Sequence, residues 1–200
     1  MSARPSGPAR PYLVATVLTS LDGQVDEPMR FAGPYFDADA QDEAAQILDD
    51  CVGVLFGRRT YDAFAGAWSG ASGAFADRIN ALPKYVVSAT LDRTQWSNSH
   101  LLSGDAAGAV AALKQRSAGG LAVYGLGRLT RTLLTHGLVD RVRFNVHPVL
   151  AGGPPADAGL PLEAFALQAV RARASGVVVL DYTARSGSDR PVGVRPQDRP

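Results

Sequence analysis

Short runs of valine, leucine and aromatic residues recur along the chain, separated by longer stretches whose apolar residues fall three or four apart. The short runs predict strands at residues 12–18, 52–56, 84–88, 121–124, 141–149, 166–173 and 177–183. The longer stretches predict helices at 39–50, 60–66, 73–82, 105–117 and 128–135. Strand followed by helix, repeated, implies a parallel sheet covered on both faces. The last three strands have little helix between them, which implies antiparallel strands added at one edge. The expected fold is a single α/β domain: a mixed, mainly parallel sheet flanked by helices, with antiparallel C-terminal strands.

The two ends break the pattern. Residues 1–11 carry Pro5, Pro8 and Pro11 among Ser, Gly and Arg, and residues 185–200 mix Gly, Pro, Arg and Asp without periodicity. Neither end has enough apolar surface to offset chain entropy, so both are expected to be flexible and the folded unit to span 12–184. The chain has 200 residues, a usual single-domain length, and 20 basic against 19 acidic residues. That balance argues against a nucleic-acid or membrane-surface partner, both of which need concentrated positive charge. No apolar run approaches the ~18 residues of a membrane span, and the start lacks the apolar core of a secretory signal. A cytoplasmic protein is expected. One cysteine and three scattered histidines, His100, His136 and His147, point to no metal site.

Ligands of open α/β sheets bind beyond the carboxyl ends of the strands, and four such ends are unusual here. Gly57-Arg58-Arg59-Thr60-Tyr61 joins a strand to a helix. Gly57 permits a tight turn, Thr60 suits an N-cap, and two arginines offer forked donors to a phosphate. Two solvated arginines beside a capped helix would read the same way. Ser88-Ala89-Thr90 places two hydroxyls at a strand end, where they bind phosphate or simply cap a turn. Gly125-Leu126-Gly127-Arg128 lets a backbone approach a pyrophosphate, though Thr130 stands where the dinucleotide fingerprint needs its third glycine. Ser20-Leu21-Asp22-Gly23 is a turn whose acid could also hold a substrate or relay a proton. Three anion-friendly strand ends in one small domain suggest a phosphate-rich cofactor lying across the sheet.

These residues, with Leu91, Leu129, Gly137-Leu138-Val139-Asp140 and Pro148-Val149-Leu150-Ala151-Gly152-Gly153, carry a resemblance. The chain resembles the dihydrofolate-reductase-like superfamily, in the branch similar to the reductase domain of the riboflavin-biosynthesis deaminase-reductase. The resemblance covers nearly all of 12–184 and implies a mixed sheet with an antiparallel C-terminal hairpin. It implies NADPH across the strand ends, with Gly57, Arg58, Arg59 and Thr60 on phosphate. Ser88 and Thr90 would border the 2′-phosphate, with either arginine as its charge partner. Gly125, Gly127, Arg128 and Leu129 would lie under the pyrophosphate, and the backbone of Val17 and Leu18 against the nicotinamide. The implied chemistry is hydride transfer to a small pterin-, pyrimidine- or ribosylaminouracil-like substrate, in a homodimer. Two other readings stay open: a nicotinamide-nucleotide-binding module without catalysis, and a flavin- or deazaflavin-binding reductase.

Substrate residues are less distinct. Classical dihydrofolate reductases carry one acid on the first helix, a region that here reads Phe36-Asp37-Ala38-Asp39-Ala40-Gln41-Asp42-Glu43. Asp39 and Asp42 can share a helix face, and an acidic first turn also complements the helix dipole. Asp22 and Asp42 are the catalytic candidates. Cys51 reads as an apolar filler, Phe64 and Trp68 as packing or pocket wall, and His147 as a packed histidine. Arg171 and Arg173 alternate along a strand, which fits a solvated face.

Overall fold

The computed structural model describes residues 11–153, 160 and 163–185. The ends expected to be flexible lie outside the described residues, apart from Pro11 and Arg185. In chain order the elements are β1 (Tyr12–Ser20), α1 (Met29–Ala32), a single 3-10 turn at Gly33–Tyr35, α2 (Ala38–Asp49), β2 (Cys51–Gly57), α3 (Arg58–Trp68), α4 (Ala74–Ala81), β3 (Lys84–Val87), β4 (Ser99–Leu102), α5 (Ala106–Arg116), β5 (Gly120–Tyr124), α6 (Arg128–Thr135), β6 (Arg141–His147), β7 (Phe165–Ala172) and β8 (Val178–Ala184).

One eight-stranded sheet runs in the order β4-β3-β2-β5-β1-β6-β8-β7. The first six strands in that order are parallel, and β8 and β7 add antiparallel pairs. Residues alternate between the faces of each strand. Leu13, Ala15, Val17, Leu55, Leu121 and Val123 therefore meet Val110 and Leu113 of α5 and Leu133 and Leu134 of α6. On the opposite face Val14, Val54, Phe56, Val86 and Ala122 meet Leu48 of α2, Tyr61 of α3 and Phe75 and Ile79 of α4. Each fully buried Leu, Val or Phe contributes about 1.5–3 kcal/mol, so the two layers hold the sheet rigid beneath its loops.

The expected architecture holds, with four local differences. β6 pairs in parallel with β1, so only the last two strands are antiparallel. β6 ends at His147 rather than 149, because Pro148 has no N–H to give a ladder. The helix expected from Thr60 begins at Arg58, with Gly57 as its N-cap and Thr60 inside its first turn. The edge strand β4 and the short α1 were not expected. Among the described residues no helix is long and apolar enough to cross a membrane.

Candidate active site

The loops singled out in the sequence follow β3, β2, β5 and β1, which are four consecutive parallel strands. They therefore share one edge of the sheet. The two helix starts are in contact: a Cβ on Gly57 would lie 3.5 Å from the Leu129 Cβ. Both helices are capped by glycine, Gly57 for α3 and Gly127 for α6, and neither receives a side-chain capping bond. Their first amides thus point outward from two positive dipole ends, the arrangement that binds anions. A Cβ on Gly127 would meet nothing within 4 Å, so the space over that turn is open to a ligand.

The strands part at the same place. Pairing of β1 with β5 stops at Thr16 and Tyr124, where Gly125 donates its N–H to the Thr16 carbonyl at 2.8 Å. Gly125 then takes φ +78° and turns the chain away, a conformation that favours glycine. Pairing of β1 with β6 continues to Ser20. Leu18 points its backbone to the same side as Thr16, so its N–H and C=O face the β5 side without a strand partner among the described residues. A donor and an acceptor side by side suit a carboxamide. Beneath the split, the buried hydroxyls of Thr16 and Tyr124 also lack partners among the described residues.

Arg58 leans across from α3 to the β3 loop. Its Nη1 donates to the Thr90 carbonyl at 3.1 Å and to Thr90 Oγ1 at 2.8 Å, and Asp62 holds its Nε at 3.6 Å. Ser88 Oγ accepts from the amides of Thr90 and Leu91 at 3.2 and 3.1 Å. One arginine and two hydroxyls therefore share a corner. Arg59 and Arg128 are exposed, and no carboxylate pairs with either among the described residues. Thr60 is half-buried in the first turn of α3, and Leu129 in that of α6. Val17 is fully buried, and its carbonyl accepts from Asn145 Nδ2 at 3.4 Å.

Asp22 lies in the loop after β1, against the loop that follows β6. Its carboxylate accepts from Ser20 Oγ and from the amides of Ala151 and Gly152 at 3.0 and 2.8 Å. The Ser20 hydroxyl first, and then those two amides, hold its pKa down to about 2. Gln24 ties the same two loops from the other side, donating to the Gly152 carbonyl at 3.2 Å.

On α2, Asp37 caps the helix by accepting from the Ala40 amide at 2.9 Å, and Asp42 is exposed. The acid that turns toward the sheet is its neighbour Glu43. Burial pushes the Glu43 pKa up, but Arg171 and Arg173 outweigh it and hold the group below the usual carboxylate range. Arg171 is exposed, as a solvated face requires, although it is bonded to Glu43, whereas Arg173 is 16% exposed and bonded to the same carboxylate. Periodicity alone could not show a partner so distant in the chain. One signal was available: Arg141, Arg143, Asn145 and His147 alternate along one strand, a polar stripe that runs from exposed Arg141 to buried His147. His147 is buried against the edges of Phe31 and Tyr35, and burial pushes its pKa down although the Thr19 carbonyl, 3.2 Å from Nδ1, pulls it up. Phe64 packs on Tyr124 and Trp68 on Phe75, both as core. Cys51 is a buried free thiol at the opposite end of the sheet.

Solved structures share this fold. A riboflavin biosynthesis protein described as putative, from Shewanella sp. PV-4, is 18% identical, with a TM-score of 0.70 over 88% of this chain and 99% of that one. A pyrimidine reductase-like protein from Corynebacterium diphtheriae is 13% identical, with a TM-score of 0.58 over 88% and 92%. Dihydrofolate reductase from Enterococcus faecalis, solved with NADP(H), is 11% identical, with a TM-score of 0.59 over 89% and 99%. No curated protein matches the chain in sequence. The family model described as the RibD C-terminal domain matches residues 11–180, nearly the whole folded unit, and the chain belongs to that family.

Proposed function

We propose that this protein is an NADPH-dependent reductase that delivers hydride to a small heterocycle of pterin, pyrimidine or ribosylaminouracil type. The observation that carries the reading is the parting of β1 and β5 beside two touching, glycine-capped helix starts. The amides after Gly57 and Gly127 would bind the pyrophosphate, with Gly125, Arg128 and Leu129 shaping the second cradle. Arg58, Ser88 and Thr90, with the exposed guanidinium of Arg59, would hold the 2′-phosphate and favour NADPH over NADH. The open backbone of Leu18 would orient the nicotinamide, and Val17 would fix that strand from its buried side. The cofactor supplies the hydride. Asp22 stays ionised, and its oxygens are engaged by Ser20, Ala151 and Gly152, so it shapes the loop and does not supply a proton. Asp42 would lie at the rim, outside the floor that Glu43 faces.

A thermal-shift screen with NADPH, NADH, FMN and a deazaflavin tests this. NADPH at a hundred times its Kd should add about 2.7 kcal/mol of stability, and NADH much less. No response to NADPH would sink the reading. A response to FMN or the deazaflavin alone would transfer the site to those cofactors, and NADPH binding without turnover of any such heterocycle would leave a binding module.

A second copy of the chain fits the far face of the C-terminal strands. Val142, Phe144, Phe165, Leu180 and Tyr182 line an apolar cavity of about 290 Å³ there, and Leu167 and Val170 stand exposed beside it. Sedimentation of the wild type and of Val170→Asp distinguishes a homodimer from a monomer.

A further inference from the structure

Three arginines stand on the α2 side of the C-terminal strands. Arg171 has every guanidinium nitrogen engaged: Nε and Nη2 donate to Glu43 at 3.2 and 2.9 Å, and Nη1 to Asp181 at 2.8 Å. Arg143 grips Asp181 with Nε and Nη2, at 2.5 and 3.1 Å. Arg173 differs. Its Nε donates to Glu43 Oε2 at 2.6 Å, and its Nη2 contacts the same oxygen and reaches Asn145 Oδ1 at 3.3 Å. Its Nη1 has no acceptor among the described residues.

A cavity of about 140 Å³ opens beside Arg173, lined by Asp37, Asp39, Glu43, Arg173, Ala174 and Ser175. The Ser175 hydroxyl is buried and also lacks a partner among the described residues. A space near 150 Å³ is enough for one six-membered ring. Asn145 joins this corner to β1, on the side of that strand away from β5. It is the register partner of Leu18, and its Nδ2 lies 3.4 Å from the Val17 carbonyl.

The charges select the occupant. A guanidinium fixed along one edge by a carboxylate presents its other edge in a set plane. Arg173 is already offset by Glu43, and Asp37 and Asp39 add negative charge to the wall, so a phosphate would be repelled. A neutral ring with a carbonyl next to an N–H meets both demands: the carbonyl accepts from Arg173, and the N–H donates to a wall carboxylate or to Ser175.

We propose that Arg173 is the specificity-determining residue of the substrate site, its Nη1 reading the carbonyl of a lactam or cyclic-urea edge, with Glu43 as the positioning residue that sets its plane. The assignment of this cavity to the substrate rests on the reductase reading; ring binding itself does not. The test is calorimetry with 5,6-diaminouracil, with 2,4-diaminopyrimidine (which lacks the carbonyls) and with inorganic phosphate, each in the presence and absence of NADPH. Wild type should bind the uracil more tightly than either other probe. R173M should lose about ten- to a hundredfold in uracil affinity, the loss typical of a bond to a charged group. R173K should lose at least about fivefold, because a point charge cannot keep both edges, and E43Q should fall between wild type and R173M. NADPH affinity should stay within about twofold throughout. Wild-type affinity for the uracil in R173M, or in R173K should R173M not fold, would overturn the proposal. So would absent uracil binding in wild type, or tighter binding of diaminopyrimidine or phosphate. If the uracil follows Arg173 while NADPH does not bind, the ring site stands and the reductase reading fails.

Discussion

The two ends of the parallel strands are built from the same sheet and treated oppositely. At the amino ends, polar groups are closed on one another. Asp140 accepts from the Leu13 amide at 2.7 Å and from Lys114 Nζ at 2.5 Å. Arg141 covers the Tyr12 ring at 4.1 Å, and Lys84 donates to the carbonyls of Ile79 and Asn80 at 3.3 and 2.7 Å. At the carboxyl ends, two helices start on bare glycines, Leu18 has an open backbone edge, and Arg59 and Arg128 lack carboxylate partners among the described residues. The difference separates stability from binding. A change at the first end should alter folding alone, and a change at the second should alter ligand affinity alone.

The largest test of that separation is removal of both Arg58 and Arg59. Their replacement by Ala should weaken NADPH binding by at least a hundredfold, about 3 kcal/mol, in a fluorescence titration. The unfolding free energy from urea titration without NADPH should change by less than about 0.5 kcal/mol, as at other exposed sites. Asp140→Ala should do the reverse, costing about 2 kcal/mol of unfolding free energy because it strips the Leu13 amide and Lys114 of a charged acceptor. Its NADPH affinity should match wild type, and a parallel loss would erase the distinction between the two ends. Gly127→Ser sharpens the comparison on a smaller scale. The hydroxyl would cap α6, change stability by only a few tenths of a kcal/mol, and compete for the amides, lowering NADPH affinity by about tenfold. The mildest test is pH. Burial lowers the Lys84 pKa to about 8 from 10.5, so the folded protein holds fewer protons on it than the unfolded chain between those values. Stability from this group therefore rises with pH across that window. Wild type should gain on Lys84→Met between pH 8 and 10 in urea unfolding, and an unchanged gap would show that Lys84 titrates normally.

The loops were legible because their chemistry is local. Gly57, Gly125 and Gly127 announce turns by their own conformational freedom, and the valine-rich runs before them announce strands. Where two signals competed, the sequence misled: Thr60 is a good capping residue, but α3 begins earlier, on Gly57. β4 was hidden because it is held by main-chain pairing to β3 at the sheet edge, with His100 and Leu101 exposed and no apolar alternation to mark it. The pairing of Glu43 with Arg173 was hidden for a different reason. The residues stand 130 positions apart, and only the completed sheet brings the β7–β8 turn to the start of α2.

The place of β5 has a consequence for biosynthesis. It is inserted between β2 and β1, although more than 60 residues separate the end of β2 from its start. A ribosome-bound nascent chain that stops short of residue 120 leaves both flanking strands with raw edges, open to wrong pairing. The two glycine-capped helix starts cannot meet until that late strand slides home, so a ligand that spans both would rescue only chains whose synthesis has passed α6.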